Sequence, residues 1–460
     1  MTNSPQEPSL LQALICIAGI FSTIAFGLLK FEISIHVLIF VCLIWTSIHA
    51  AYLNHHFSAI QRMMSDSIYH ALPAIYIFML MGMVIASFMH SGTIASLIYY
   101  GLSLLTPSIF LSVGLVLCCV MSIATGTSWG TVGTIGVVLM GIADAIHIPI
   151  FLAAGMVVSG ATFGDKLSPL SDTTNLAAMT AGVGLYQHIH AMLYTTVPSF
   201  ILTLGIFSVI GWHYAGSEIP IEHISAIQLA LANLFHLNLW ITLLPLVCML
   251  VLSFLRFSPI VSMTCSIVIA VMIAILYQSK PIVEVLNALW LNTPANTGIE
   301  SIDALLGRGG LYSMAWTLLL SLMALALGGI LYQAKFLSVL INNFVTKIKR
   351  VSTLIATTIT AGFVSNIGMG EAYISIILNC QLFKALYTKL DLNHAILSRS
   401  VEEGTTVTTP LIPWTTAGAF YAATLGIAVL EYAPYAFFNL LNPIVSVLMA
   451  TLGLGLLMRK

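Results

Sequence analysis

Charge is what this chain has least of. Asp, Glu, Lys and Arg make up 7% of its 460 residues, where soluble domains carry about 25%. None of the four occurs from Ser67 to Ala143, nor from Thr173 to Ser217. With 59% hydrophobic residues and a mean hydropathy of +1.02, no water-facing surface can be assembled, so the surface must face lipid. The formal net charge of −1 offers nothing to nucleic acid. The seven cysteines (16, 42, 118, 119, 248, 265, 380) lie in or beside apolar runs without metal-ligand spacing, and read as small packing residues. The thirteen histidines are scattered, mostly at the expected interfaces, with no H-E-x-x-H pattern. The polar stretches hold no Ser–His or Cys–His constellation, and no G-x-x-x-x-G-K-[ST] loop is present. Neither an enzyme nor an ATP-driven pump is expected, and no cofactor.

What is there in abundance is long apolar sequence. Uncharged runs cover 9–29, 33–53, 68–90, 107–125, 187–212, 238–255, 258–277, 311–331 and 435–457. A spanning helix needs about 20 such residues. In hydrocarbon every backbone polar group must be satisfied within the segment, so these are helices and not strands. The expected fold is an all-α polytopic membrane protein with about ten to twelve spans. The N-terminal "MTNSPQEPSL" lacks the positive region of a signal peptide, so the first apolar segment is expected to stay as a helix. Lys347, Lys349 and Arg350, with Arg459 and Lys460, are expected on the cytoplasmic side.

The chain also repeats itself. "TGTSWG" (125–130) matches "IGMGEA" (367–372), and "KLSPLSDTT" (166–174) matches "TVTTPLIPWTT" (406–416), at a shift of about 241 residues. That shift lays Gly126 near Gly368 and Ser168-Pro169-Leu170 on Thr409-Pro410-Leu411. Each half thus carries a Gly-rich interruption and later a hydroxyl- and proline-rich one. The expected repeats are 1–215 and 224–460, joined through the polar 213–223. Paired interruptions at matching positions point to a transporter's midplane site. Gly82, Gly92, Gly328 and Gly329 read instead as positions of close helix packing.

The most polar interruption is "GDKLSPLSDTTN", Gly164 to Asn175. Pro169 removes a backbone donor, so the block is expected to unwind and to free carbonyl oxygens. Ser168, Ser171, Thr173, Thr174 and Asn175 add side-chain oxygens to Asp165 and Asp172. Several oxygens with one or two negative charges suit Na⁺ and protons, whereas transition metals favour His and Cys. A charge inside the bilayer costs at least about 2.5–3.5 kcal/mol, so its retention marks function. Lys166 is a counter-charge for either aspartate, and Asp172 is expected to matter more than Glu402. Thr127, Ser128, Asn366, Thr408 and Thr409, in or beside the other interruptions, are supporting candidates.

Glu371, after Gly370, reads equally as a helix N-terminal charge and as an ion ligand. Glu402 and Glu403 precede Gly404 as further supporting candidates, and Arg399 with Glu403 has the spacing of a surface i,i+4 pair. Asp144 reads as a residue at a helix end. His188 and His190 open a helix.

"FGDKLSPLSDTTN" and "GTSWGTVGTIG" (126–136) resemble the NhaC-type Na⁺/H⁺ antiporters of the ion transporter superfamily. "ISIILNCQLFKALY" (374–387) and "LSRSVEEGTTVTTPLIPW" (397–414) extend the resemblance through the second half. It implies two inverted repeats, each with a re-entrant hairpin and a broken helix, and exchange of Na⁺ for H⁺ at Asp165 and Asp172. Where the family commonly has Asp-Gln, this chain has Glu371-Ala372. Some relatives exchange malate for lactate, or amino acids. The alternative is therefore an ion-coupled transporter of a small organic acid or amino acid, with Trp129, Trp414 and the half-helix N-termini after Gly126 and Gly404 lining its site. A bacterial-type inner (cytoplasmic) membrane is the expected location, and a homodimer stays open.

Overall fold

The computed structural model describes residues 5–104, 106–214, 221–293, 306–345 and 350–456, with 299, 303 and 348 between them. The inter-repeat segment 215–220, Lys347, Lys349, Arg459 and Lys460 lie outside the described residues. Among the described residues the chain is helical and forms no strand. In order, the helices are α1 (Leu10–Leu29), α2 (Ile35–Tyr52), α3 (Phe57–His70), α4 (Leu72–His90), α5 (Thr93–Leu104) and α6 (Pro107–Thr125). Then come α7 (Ser128–Ala145, with a π turn at Val132–Gly136), α8 (Ile150–Leu167), α9 (Asp172–Ala181), α10 (Leu185–His213), α11 (Ile221–Leu234) and α12 (Leu244–Phe254). The remainder, apart from single turns at Leu239–Thr242 and Val429–Tyr432, are α13 (Pro259–Leu276), α14 (Ile282–Trp290), α15 (Leu311–Gln333), α16 (Phe336–Val345), α17 (Val351–Met369), α18 (Ala372–Lys389), α19 (His394–Gly404), α20 (Thr416–Leu425) and α21 (Phe437–Thr451).

Nine helices among the described residues are long and apolar enough to cross a membrane, and eleven if two bent pairs each count as one span. Local chemistry sets their ends. The first begins at a capping box, in which Ser9 and Gln12 satisfy each other's backbone N–H. Pro107 and Pro259 open α6 and α13, where a missing N–H costs nothing. Burial then sorts the helices radially. About 83% of α8 is enclosed but only 28% of α1, so α8 is central and α1 shows its Leu, Ile and Phe side chains to lipid.

The two halves share one pattern of helix ends, with an offset of 244 residues (351 against 107). α6 and α17 are both 19 residues long and end at left-handed glycines, Gly126 (φ 69°) and Gly370 (φ 67°). α7 and α18, α8 and α19, and α9 and α20 begin at equivalent positions. Ser171 and Thr415 cap α9 and α20, which end at Gly182 (φ 79°) and Gly426 (φ 68°). Even contacts repeat. The Ser122 hydroxyl donates to the Ala161 carbonyl, and the Asn366 amide, at the equivalent position, donates to that of Thr405. A β-carbon on Gly160 would sit 2.6 Å from the Leu115 carbonyl oxygen, and one on Gly404 2.3 Å from that of Ile359. The same close crossing thus joins α6 to α8 and α17 to α19.

This corrects the shift of about 241 residues, which set Pro169 on Pro410; its counterpart is Pro413, and that of Gly126 is Gly370, not Gly368. Two prolines three residues apart made either register plausible. The breaks also differ. In the first half only Ser168–Ser171 is unwound, so Asp165 and Lys166 remain helical. In the second half, Thr405 to Thr415 is a chain of turns with a single 3-10 turn at Thr409–Leu411. Threonine hydroxyls reinforce the carbonyls at this break, of which those of Val401, Glu402 and Thr405 also accept a backbone N–H. Thr405 donates to Val401 O, Thr406 to Glu402 O, Thr408 to Gly404 O and Thr409 to Thr405 O, at 2.6–3.1 Å.

Candidate functional site

Four helix N-termini, those of α7, α9, α18 and α20, line one cavity of about 60 Å³. A helix N-terminus carries partial positive charge. Asp172 in the first turn of α9 and Glu371 at the start of α18 offset it at two of the four. Glu371 is buried and accepts from the backbone N–H of Tyr373 (2.5 Å) and Ile374 (3.1 Å), which is the helix N-terminal role, and it also lines the cavity. Thr127 and Thr415 cap α7 and α20 through their hydroxyls. At the far ends of the half-helices sit cations. Arg308 donates to the last carbonyl of α20 at 3.0 Å, and the Lys384 ammonium lies against Gly182 after α9.

Asp165 reaches the cavity from α8 and also touches a buried charge network. The Lys166 ammonium has three N–H donors and uses each: Asp165 Oδ2 at 3.0 Å, Glu402 Oε1 at 3.0 Å and Thr173 Oγ1 at 2.9 Å. Glu402, from α19 of the other half, accepts from His188 Nε2 at 3.1 Å on its second oxygen. Thr174 donates toward the Asp165 carbonyl (3.3 Å) and lies 3.4 Å from Glu402. Lys166, Glu402 and His188 are all fully buried. A buried charge persists only with partners, and these have them.

The remaining expected residues divide. Thr127, Ser128, Asp172, Thr173 and Thr409 line the cavity with Asp165 and Glu371. Ser168 instead donates to Ile123 O at 2.7 Å, Ser171 caps α9, and Asn175 holds the Pro169 and Ser171 carbonyls at 3.0 and 2.7 Å. These three hold the break in shape. Asn366 does the same in the second half, donating to Thr405 O, Thr408 and Thr409 at 2.7–3.1 Å. Glu403 turns away from the cavity into a separate buried cluster. It accepts from Thr195 and Ser446, each at 2.5 Å, with Arg399 Nε at 3.9 Å. The Arg399–Glu403 pair is therefore in the interior and not on the surface, because α19 is enclosed on all sides. Asp144 stands in the last turn of α7, as read.

Lys166 chooses Asp165 and Glu402 as ion-pair partners, not Asp172. Asp172 is exposed at the cavity mouth and accepts from the Tyr373 hydroxyl and the Thr173 N–H. Of the tryptophans, Trp129 lines the cavity, stacked on Phe420 at 4.9 Å. Trp414 does not; its indole N–H donates to Ile367 O at 2.8 Å. No helix starts directly after Gly404, and the N-termini of the second half come at Glu371 and Thr415. Sequence reading missed His188 and Tyr373. The surviving signal for His188 was slight: a polar ring in a segment without charge.

A family model for the Na⁺/H⁺ antiporter family matches residues 160–454, which hold both halves of the charge network. The chain belongs to the Na⁺/H⁺ antiporter family. Among curated relatives, it is 40% identical to the Na⁺/H⁺ antiporter NhaC of Alkalihalophilus pseudofirmus, over 91% of this chain and 90% of that protein. It is 32% identical to the malate-2H⁺/Na⁺-lactate antiporter of Bacillus subtilis, over 93% of this chain and 91% of that one. It is also 33% identical to the arginine/ornithine antiporter ArcD of Halobacterium salinarum, over 99% and 94%. Membership of this antiporter family and the apolar helices make it a multi-pass membrane protein.

Proposed function

We propose that the chain exchanges Na⁺ for H⁺ across a bacterial-type cytoplasmic membrane, with Asp165 as the carboxylate for which both ions compete. The position of Asp165, at once in the cavity wall and on Lys166, carries this reading. Na⁺ is the cargo, held by Asp165, Asp172 and the hydroxyls of Thr127, Thr173 and Thr409. A proton on Asp165 removes the negative charge that Na⁺ needs, so each reorientation carries one ion or the other. No cofactor or ATP takes part, and no chemical step is catalysed; ion gradients drive exchange. Half-saturating Na⁺ is expected to be flat at alkaline pH and to rise on the acid side, toward about tenfold per pH unit for each proton that competes. Solid-supported-membrane currents between pH 6 and 9 measure it, and a half-saturation that ignores pH would sink the reading.

The two repeats are further taken to be inverted, which is the usual basis of alternating access. His147 and Asp391 occupy equivalent turns with positive φ (58° and 54°), and both are exposed. Impermeant thiol reagents should label His147→Cys and Asp391→Cys from opposite faces of oriented vesicles. Labelling from one face would remove the inversion.

A second reading rests on a neighbouring cavity of about 210 Å³, which shares Ile77, Thr127 and Asp172 with the first. Arg256 lines it, and no other Asp, Glu, Lys or Arg lies between Glu222 and Lys280. A guanidinium there suits the carboxylate of a small organic acid. Currents evoked by labelled lactate, malate or arginine, in place of a pH-dependent Na⁺ response, would favour this reading.

A further inference from the structure

Among the described residues His188 is the one histidine with no exposed surface, and its two nitrogens are held by one face of α19. Nε2 meets Glu402 at 3.1 Å and Nδ1 meets the Ser398 hydroxyl at 2.7 Å. Ser398 has a second acceptor, the Ala395 carbonyl at 3.1 Å. This arrangement satisfies both forms of the ring. With a neutral ring, Nε2–H donates to Glu402 and Ser398 donates to Nδ1. With a protonated ring, Nδ1–H donates to Ser398, whose hydrogen turns to Ala395. No polar group is stranded in either state.

We propose that His188 is a positioning residue that acts through Glu402 to set how strongly Lys166 holds Asp165, and so how far acidity shuts out Na⁺. This rests on the Na⁺/H⁺ reading of the cavity. Glu402 presents one oxygen to Lys166 and the other to His188. While the ring is neutral, Asp165, Lys166 and Glu402 together carry one net negative charge, which draws Na⁺ to the cavity. When the ring is protonated, Glu402 faces two cations, and the four groups sum to zero. Lys166 then leans on Asp165, and the cavity loses its net attraction for a cation. One proton on Asp165 and one on His188 thus act in the same direction.

The elements packed on α10 supply few rivals to this assignment. α8 brings Asp165 and Lys166, α9 brings Asp172, and α19 brings His394, Arg399, Glu402 and Glu403. α6 and α21 bring no Asp, Glu, Lys, Arg or His. Arg399 and Glu403 face each other, and Asp172 is bound by Tyr373 at the cavity mouth.

The test compares wild type, His188→Gln and Ser398→Ala in proteoliposomes on a solid-supported membrane, with Na⁺ titrated at half-unit pH steps. Wild type is expected to lose apparent Na⁺ affinity more steeply than tenfold per pH unit on the acid side, toward about a hundredfold when two protons compete. His188→Gln is expected to keep exchange at alkaline pH and to fall by no more than about tenfold per unit. Ser398→Ala strips the protonated ring of its acceptor, so its steep region should move to lower pH. A His188→Gln profile that superimposes on wild type overturns the proposal, as does loss of exchange at every pH with an unchanged melt. If His188→Gln does not fold, an unshifted Ser398→Ala profile overturns it instead. Absence of Na⁺ exchange by wild type at alkaline pH would count against the antiport reading itself, a different outcome from any of these.

Discussion

Asp165→Asn is expected to abolish Na⁺/H⁺ exchange while leaving the protein folded. Asparagine keeps the shape of the side chain and one acceptor for Lys166, which lies 3.0 Å away, but it removes the charge that both ions require. Lys166 is not stranded, because Glu402 stays at 3.0 Å and Thr173 at 2.9 Å. Truncating one partner of a buried, hydrogen-bonded charge pair costs about 2–5 kcal/mol, and here Na⁺ binding is the process that loses it. That is about thirtyfold to several thousandfold in apparent Na⁺ affinity. Dequenching assays of pH-gradient dissipation by Na⁺ should therefore show no response at concentrations that saturate wild type, with an elution profile and melting temperature near wild type. Exchange at wild-type Na⁺ concentrations would place the shared carboxylate elsewhere.

Lys166→Met is expected to have the opposite balance, with a large loss of stability. Methionine fills the same volume but leaves Asp165 and Glu402 facing a buried position with no cation between them. Removing one member of a buried ion pair costs about 3–5 kcal/mol, mostly from the uncompensated charge left behind. Thermal unfolding in detergent should show the variant melting several degrees lower. The double variant Lys166→Met/Glu402→Gln should regain part of that loss, since one stranded charge is gone. The non-additivity of the cycle measures the coupling directly. A single variant as stable as wild type would mean that the network is not closed as described.

How much of this was legible beforehand depended on distance along the chain. The break at Pro169 shows in the sequence because proline, serine and aspartate impose it locally. The same is true of the interruption at Gly126, where a left-handed glycine ends α6. Glu371 is written in its neighbours, as a carboxylate one residue past a helix-ending glycine. The charge network is not local. Lys166 meets Glu402 across 236 residues, and His188 meets it across 214. No periodicity encodes such pairings. Arg399 and Glu403 show the limit from the other side. Their i,i+4 spacing is identical on a wet surface and in an interior, so spacing alone favoured the commoner surface case. Their setting held the better clue, because Arg399, Glu402 and Glu403 stand together in a chain that elsewhere discards charge.

The threonines of 405–409 have a consequence for how the break meets water on either side of the membrane. A helix broken inside a membrane ordinarily borrows water to cover its bare carbonyls, and is then favoured whenever its own side is the wet one. Here four hydroxyls, together with backbone N–H groups, cover the carbonyls from within the chain. The break brings its own solvent. Its free energy is then nearly the same whichever aqueous compartment the cavity faces. A carrier so equipped can turn from one compartment to the other without wetting or drying this break, while the ion gradients set the net direction as they do for any exchanger.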